Sequence, residues 1–279
     1  MAFNNPEDIV AVIVLYKMSL EESSTFITLT KSLKSIGAKL DLFVYDNSPS
    51  AQELDHSKYE QWTISYVHDK NNPGVSTAYN RACDYAVEQG KKWLLLLDQD
   101  SIFPPDAIMR YAESISSVVA PLVVPRLVSS TGRVASPARY ALHRGSHIRR
   151  SDLPPGVNDL RRRSFLNSGI LVAVEAFKAV GGFDTELFYY SDHDFFFRFG
   201  KHYNKYFLLD IDVIHDACSA EIGRERFDLL QTAMLHMSKI HKTLWPHIWL
   251  FCRALKLTIL TRNPYYVYQT IKKMAGAAK

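Results

Sequence analysis

Four short apolar runs punctuate the first hundred residues: Ile9–Leu15, Leu40–Tyr45, Ile64–Val67 and Trp93–Leu97. The first is continuous and mostly β-branched, the pattern of a strand covered on both faces. Helical-length segments at Leu20–Ile36 and Val75–Gln89 separate several of these runs. The second segment opens after Asn72-Pro73-Gly74 and closes at Gly90, so breaker residues stand where helix ends require them. Apolar strands alternating with helices predict an α/β fold with a parallel sheet, in which ligands collect at the carboxyl ends of the strands.

Further along, Val118–Val124, Gly169–Val174 and Tyr206–Ile214 read as three more strands. Between the first two, residues 139–163 carry Arg139, Arg144, Arg149, Arg150, Arg161, Arg162 and Arg163 around Pro154-Pro155-Gly156, without strand or helix period. This reads as a long basic loop. From about Arg224 the pattern is mostly helical.

Composition narrows the classes. The chain has 279 residues, 47% of them apolar, which suffices for a substantial core and excludes disorder and fibrous repeats. Its formal charge of +4 is too small to argue for a nucleic-acid partner. The three cysteines, Cys83, Cys218 and Cys252, share no short spacing and fit a reduced compartment. Met1 to Asp8 lacks the basic-then-apolar pattern of a secretory signal, so a cytoplasmic chain is expected. The apolar stretch Thr243–Thr261 is broken by Pro246, His247, Arg253 and Lys256, which argues against a spanning helix.

The sharpest chemical signal is Asp98-Gln99-Asp100, directly after Trp93–Leu97. Two carboxylates at the mouth of a buried strand suit a divalent cation with oxygen ligands; a turn or a helix cap is the plainer reading. Ser191-Asp192-His193-Asp194, between aromatic flanks, offers a carboxylate for proton abstraction, or else a helix start capped by Ser191 or Asp192. His215, after the last strand, is either structural or a ligand sharing the acidic site. At the first two strand ends, the Tyr16 ring offers a stacking face and the Asp46 carboxylate an acceptor for the imide N–H of uracil or thymine. Taken alone, Asp46-Asn47-Ser48-Pro49 is an ordinary turn.

In order, these elements, with Asn72-Pro73-Gly74 to Asn80, Asn167-Ser168-Gly169 and Gly181-Gly182-Phe183-Asp184, resemble glycosyltransferase family 2, inverting enzymes of the GT-A fold, and especially its bacterial rhamnosyltransferase-like members. The resemblance covers about residues 9–220. It implies a GT-A catalytic domain over 1–222, with a nucleotide-binding half to about residue 100 and an acceptor-binding half beyond it, and a helical region over 223–279. It further implies that Tyr16, Asp46, Asn47, Asn80, Asp98 and Arg198 lie on the donor side. Asp98, Asp100 and His215 would hold Mn²⁺ or Mg²⁺, with Asp100 the principal contact. Asp192 is the implied base, with Asp194 in support; Ser191 replaces the first acid of the family's motif. Arg198 would orient these acids or face a phosphate.

The implied reaction moves a sugar from a nucleotide-diphospho-sugar, dTDP-rhamnose or a UDP-sugar, to a lipid-linked glycan of bacterial surface polysaccharide. The arginines of 139–163 would close over a diphosphate or form a solvated loop. The C-terminal helices, aromatic and basic, suit a peripheral membrane contact on the inner face of the plasma membrane, or packing against the catalytic domain or a second subunit of a homodimer. Two other classes are a sugar nucleotidyltransferase, for which Leu15-Tyr16-Lys17-Met18-Ser19 lacks the glycine-rich phosphate loop, and a non-catalytic glycan-binding scaffold.

Overall fold

A computed structural model describes residues 6–117, 120–141, 144–147, 153–161, 163–216, 224–240 and 245–277. In chain order the strands are β1 (Ile9–Leu15), β2 (Leu40–Asp46), β3 (Trp62–His68), β4 (Trp93–Asp98), β5 (Leu122–Val128), β6 (Val134–Ser136), β7 (Ala138–Ala141), β8 (Arg144–His147), β9 (Gly156–Asp159), β10 (Arg163–Ser164), β11 (Ile170–Ala173) and β12 (Lys205–Ile214). The helices are α1 (Ser24–Ile36), α2 (Val75–Glu88), α3 (Ala107–Ser117), α4 (Val174–Ala179), α5 (Ser191–His202), α6 (Arg224–Ile240), α7 (Trp245–Thr261) and α8 (Tyr265–Ala277).

Among the described residues the main sheet runs β3-β2-β1-β4-β11-β5-β12-β9, with β6 on β5. β3, β2, β1 and β4 are parallel, as is the β5–β12 pair, while β11 runs antiparallel between β4 and β5. The expected, mostly parallel α/β sheet is therefore present. The continuous apolar character of β1 follows from helices on both faces. Ile9, Ala11, Ile13 and Leu15 pack with Phe26, Leu29 and Leu33 of α1 and Ile108 and Tyr111 of α3. Val10, Val12 and Val14 pack with Tyr79 and Ala82 of α2, Phe177 of α4 and Phe195 of α5. Each such aliphatic side chain contributes about 1.5–3 kcal/mol on burial.

Three boundaries differ from the sequence reading. β5 lies at Leu122–Val128 rather than Val118–Val124, and residues 118 and 119 are outside those described. The apolar window ends at Pro125-Arg126, yet the strand continues because Arg126 is buried by ion pairs with Asp210 (3.0 Å) and Asp212 (2.8 Å). The Gly169–Val174 run divides into β11 and the start of α4. The segment read as a basic loop contains short strands: β7 pairs with β8 and β10, and β9 extends the main sheet beside β12. Strands of two to four residues with arginines are too short to display a period of two. Cys218 and Arg149, Arg150 and Arg162 lie outside the described residues.

Candidate functional site

The order β2-β1-β4 makes a topological switch point, because the chain leaves β1 to one side for β2 and later returns on the other with β4. Register aligns the carboxyl ends: Leu15 stands opposite Asp46, and Val14 opposite Asp98. Just beyond these ends opens a cleft of about 610 Å³. Val14 and Tyr16 at the end of β1, Asn47 after β2 and Asp98-Gln99-Asp100 at the end of β4 line one side; Asn72, Gly74, Val75, Phe188, Tyr189, His215, Asp216 and Leu229 complete it.

The acidic turn is held from behind by the start of α1. Thr25 Oγ1 donates to the Asp98 carbonyl (2.6 Å), Ser23 Oγ to the Gln99 carbonyl (2.7 Å), and Ser101 N–H donates to Thr25 Oγ1 (2.9 Å). Gln99 Oε1 accepts from Tyr16 N–H at 2.8 Å, which ties the end of β1 to the end of β4. These bonds fix the backbone, so the two carboxylates are left to the cleft.

His215 arrives from β12 because Ile214 bridges to Ile102 and its own N–H donates to Val128. The imidazole is buried, its Nδ1 2.9 Å from the Ser101 hydroxyl, which also meets Ser168 Oγ at 2.7 Å. Nε2 lies 3.8 Å from Asp98 Oδ2, and Nδ1 3.6 Å from Asp100 Oδ1. The three side chains singled out as metal ligands are thus brought together. Desolvation raises the Asp98 carboxyl above its ordinary value; His215 opposes this, and the Asp100 and Asp192 charges add to it. Tyr79, fully buried, donates to Asp98 Oδ1 at 3.2 Å, and burial followed by the Asp98 charge holds its phenol protonated.

The donor set suits a hard divalent cation that is only partly enclosed. Among the described residues no three His, Cys, Asp or Glu side chains form a cage able to hold a metal alone, and none of those lining the cleft is Lys or Arg. An anionic ligand entering this acidic wall therefore needs a cation between. One or two carboxylates completed by ligand phosphates and water is how Mg²⁺-type ions are held.

Asp192 and Asp194 both occupy the first turn of α5, but not equivalently. Asp194 is fully buried and paired with Arg198, whose Nε and a terminal nitrogen approach its Oδ2 at 2.8 and 2.7 Å. Asp192 is half-buried, and its charge acts on both Asp98 and Tyr79. The cap position is taken by Tyr190, in the left-handed region at φ 64° with no side-chain cap bond, not by Ser191 or Asp192.

Three residues expected on the donor side are hydrogen-bonded within the protein. Asp46 is fully buried behind the cleft wall, its oxygens accepting from Ser48 N–H (2.9 Å), Gln52 Nε2 (2.9 Å) and Tyr66 OH (2.7 Å). Burial would raise this carboxyl, but those bonds together hold it below its ordinary value. Asn80 donates to the Phe183 carbonyl (2.9 Å) and accepts from Phe183 N–H (2.8 Å), clamping the Gly181-Gly182-Phe183 turn onto α2. Arg198 also donates from its other terminal nitrogen, Nη1, to the Val180 carbonyl and from Nη2 to the Gly182 carbonyl (2.8 Å), so its guanidinium links Asp194 to the turn at Gly182. Tyr16 and Asn47 do reach the cleft. Tyr16 is 42% exposed, and Asn47 Oδ1 is buried with no hydrogen-bond partner among the described residues.

Ser101, Ser168, Tyr79, Phe188 and Tyr189 were not singled out from the sequence. Ser101 adjoins the Asp98-Gln99-Asp100 motif, Ser168 and Tyr79 lie inside the Asn167-Ser168-Gly169 and Asn72-to-Asn80 elements without a role of their own, and Phe188 and Tyr189 belong to the aromatic flank of the Asp192 motif. Only the register of β12 on β5 shows what Ser101 touches.

The description Glycosyl transferase family 2 matches residues 21–167, more than half of the chain. No curated protein sequence matches. Among solved structures, S. aureus TarS 1–349 in complex with UDP-GlcNAc is similar at 14% identity over 94% of this chain and 79% of that one, with a TM-score of 0.59. The same protein in complex with UDP gives 16% identity over 81% of this chain and 65% of that one, at 0.54. GalNAc-T7 with UDP, GalNAc and Mn²⁺ gives 11% identity over 81% of this chain and 47% of that one, also at 0.54. In two of these alignments the chain thus spans 65% or less of the matched protein. Likeness at these identities concerns the fold, which is the GT-A arrangement of a mostly parallel sheet between helices. The chain belongs to glycosyltransferase family 2.

Proposed function

We propose that this chain is an inverting glycosyltransferase that moves a sugar from a pyrimidine nucleotide-diphospho-sugar to a hydroxyl of a lipid-linked glycan in bacterial surface polysaccharide synthesis. The observation that carries the reading is the acidic end of the switch-point cleft, where Asp98, Asp100 and His215 meet without Lys or Arg among the described lining residues. Tyr16 gives the base a stacking face, and the unpartnered Asn47 Oδ1 is an acceptor for a uracil or thymine imide N–H. Asp46 sets the turn that presents Asn47, in place of touching the base itself. UDP and UDP-GlcNAc in the similar structures support a uracil nucleotide as the first donor to test; dTDP-rhamnose is the alternative.

Asp98 and Asp100, with His215 beside them, would hold Mn²⁺ or Mg²⁺. The ion supplies charge neutralisation for a diphosphate leaving group. Ser101 fixes the His215 ring, and Tyr79 fixes Asp98, so the ligands need little reorganisation. Asp192 accepts the proton of the acceptor hydroxyl as that oxygen attacks the anomeric carbon opposite the diphosphate; the carbon–diphosphate bond breaks and configuration inverts. Asp194, neutralised by Arg198, anchors the first turn of α5 and so aims Asp192. The organisation we adopt is a catalytic part over 1–222 and a helical part over 223–279.

The test is transfer of label from UDP-GlcNAc, other UDP-hexoses and dTDP-rhamnose, with Mn²⁺, into a solvent-extracted isoprenoid-diphosphate glycan fraction. Incorporation from one donor, with the new linkage opposite in anomeric configuration, is expected. No incorporation from any pyrimidine donor contradicts the reading.

A further inference from the structure

The last two helices carry an apolar face that the described residues leave open. On α7, Ile248, Phe251, Leu255 and Ile259 recur at helical spacing and are 52, 42, 45 and 67% exposed; Leu260, on the flank, reaches 68%. The opposite side of α7 is spent on packing: Leu250 sits with Met234 and Leu235 of α6, and Ala254 with Phe227 and Tyr266. α8 likewise buries Tyr266 and Thr270 while exposing Tyr268 and Ile271. A helix that needed only to pack on the rest of the chain would be polar on its outer side.

Charge distinguishes the occupants. After Asp228 the sequence contains eight basic residues and no acid, so the remainder of a chain that is +4 overall is net acidic. Lys256 and Lys272 are exposed on the same two helices, and Arg262 is exposed in the turn between them. A two-fold contact with a second copy would bring these cations towards their own equivalents with no acid on α7 or α8 to neutralise them. Nor do the helices cross a membrane, because among the described residues none is long and apolar enough.

We infer that the exposed face of α7 and α8 seats on an anionic lipid surface, with the helices lying in the interface. Ile248, Leu255 and Ile259 enter the acyl boundary, while Lys256, Arg262 and Lys272 meet anionic headgroups. The inference rests on these helices; the proposed activity supplies only its use, bringing the cleft to a lipid-linked acceptor.

Flotation of the full chain with vesicles of phosphatidylcholine alone, and with phosphatidylglycerol mixed in, tests it. Association with the anionic vesicles, falling as salt rises, is expected. Leu255→Glu with Ile259→Glu should reduce it at least about tenfold. Lys256→Gln, Arg262→Gln and Lys272→Gln should each cost roughly fivefold. All five positions are exposed, and an unchanged melting point and unchanged stabilisation by UDP in each variant separate lost docking from a lost fold or donor site. Failure of the parent chain to float with anionic vesicles overturns the inference, as do variants that bind like the parent. So does a parent dimer that Leu255→Glu with Ile259→Glu converts to a monomer, which would identify a second copy as the occupant.

Discussion

Asp46 accepts three hydrogen bonds while wholly removed from solvent, and that combination makes it a structural acid. Replacing it with Ala leaves the Ser48 N–H, Gln52 and Tyr66 donors without their acceptor, so Asp46→Ala should lower stability by about 2–3 kcal/mol in denaturant melts. Its carboxyl is held below the ordinary value, so it stabilises the fold above about pH 4, and that contribution is lost as pH falls through the folded-state value. An Asp46→Asn variant should accordingly show a flatter decline in melting temperature below about pH 4 than the parent. Asp192 has the opposite character: half-buried in the first turn of α5, it is the acid proposed to accept the acceptor's proton. Asp192→Asn should keep the fold and nucleotide affinity while slowing transfer by about 10²–10⁴. Turnover near that of the parent would remove Asp192 from the chemistry. Sequence alone paired Asp192 with Asp194 and Asp46 with the base because residue type and order do not record which carboxylates are already satisfied.

Among the elements, the parallel strands were legible because helices on both faces force continuous apolar runs, and the breaker residues around α2 marked its ends. β7 to β10 were not, since their pairing, rather than any period in so few residues, makes them strands. The turn before α5 shows how an element is placed by one small residue. Gly182 has φ +65°, and a Cβ there would meet Asn80 Oδ1 at 2.6 Å. Gly182→Ala should therefore strain the backbone and break the Asn80–Phe183 clamp, costing about 1–3 kcal/mol in the same melts. Since Phe183 stacks on Phe195 of α5 at 4.2 Å, activity should fall further than nucleotide affinity as the helix bearing Asp192 shifts. Equal losses in both would place the turn outside the acceptor side of the site.

Taken as a whole, the molecule gathers its proposed site from strand ends far apart in sequence: Tyr16, Asn47, Asp98 to Asp100, and His215. The acidic turn and its strand could be read locally, whereas the meeting of His215 with Ser101 depends on β12 joining β5 across the sheet. The committed roles of Asn80 and Arg198 likewise depend on long-range packing. If the acidic wall receives a diphosphate only through a divalent ion, Asp100→Ala should abolish most of the Mn²⁺-dependent part of nucleotide binding and leave stability without ligand nearly unchanged, because Asp100 is half exposed. The most direct measurement is the thermal midpoint of the parent chain with UDP, dTDP, GDP and CDP, each with and without Mn²⁺, since a ligand bound only by the native state raises it. A rise with UDP or dTDP that requires Mn²⁺ is the predicted result. No rise with any nucleotide, or a rise indifferent to the metal, would contradict a metal-assisted donor site in this cleft.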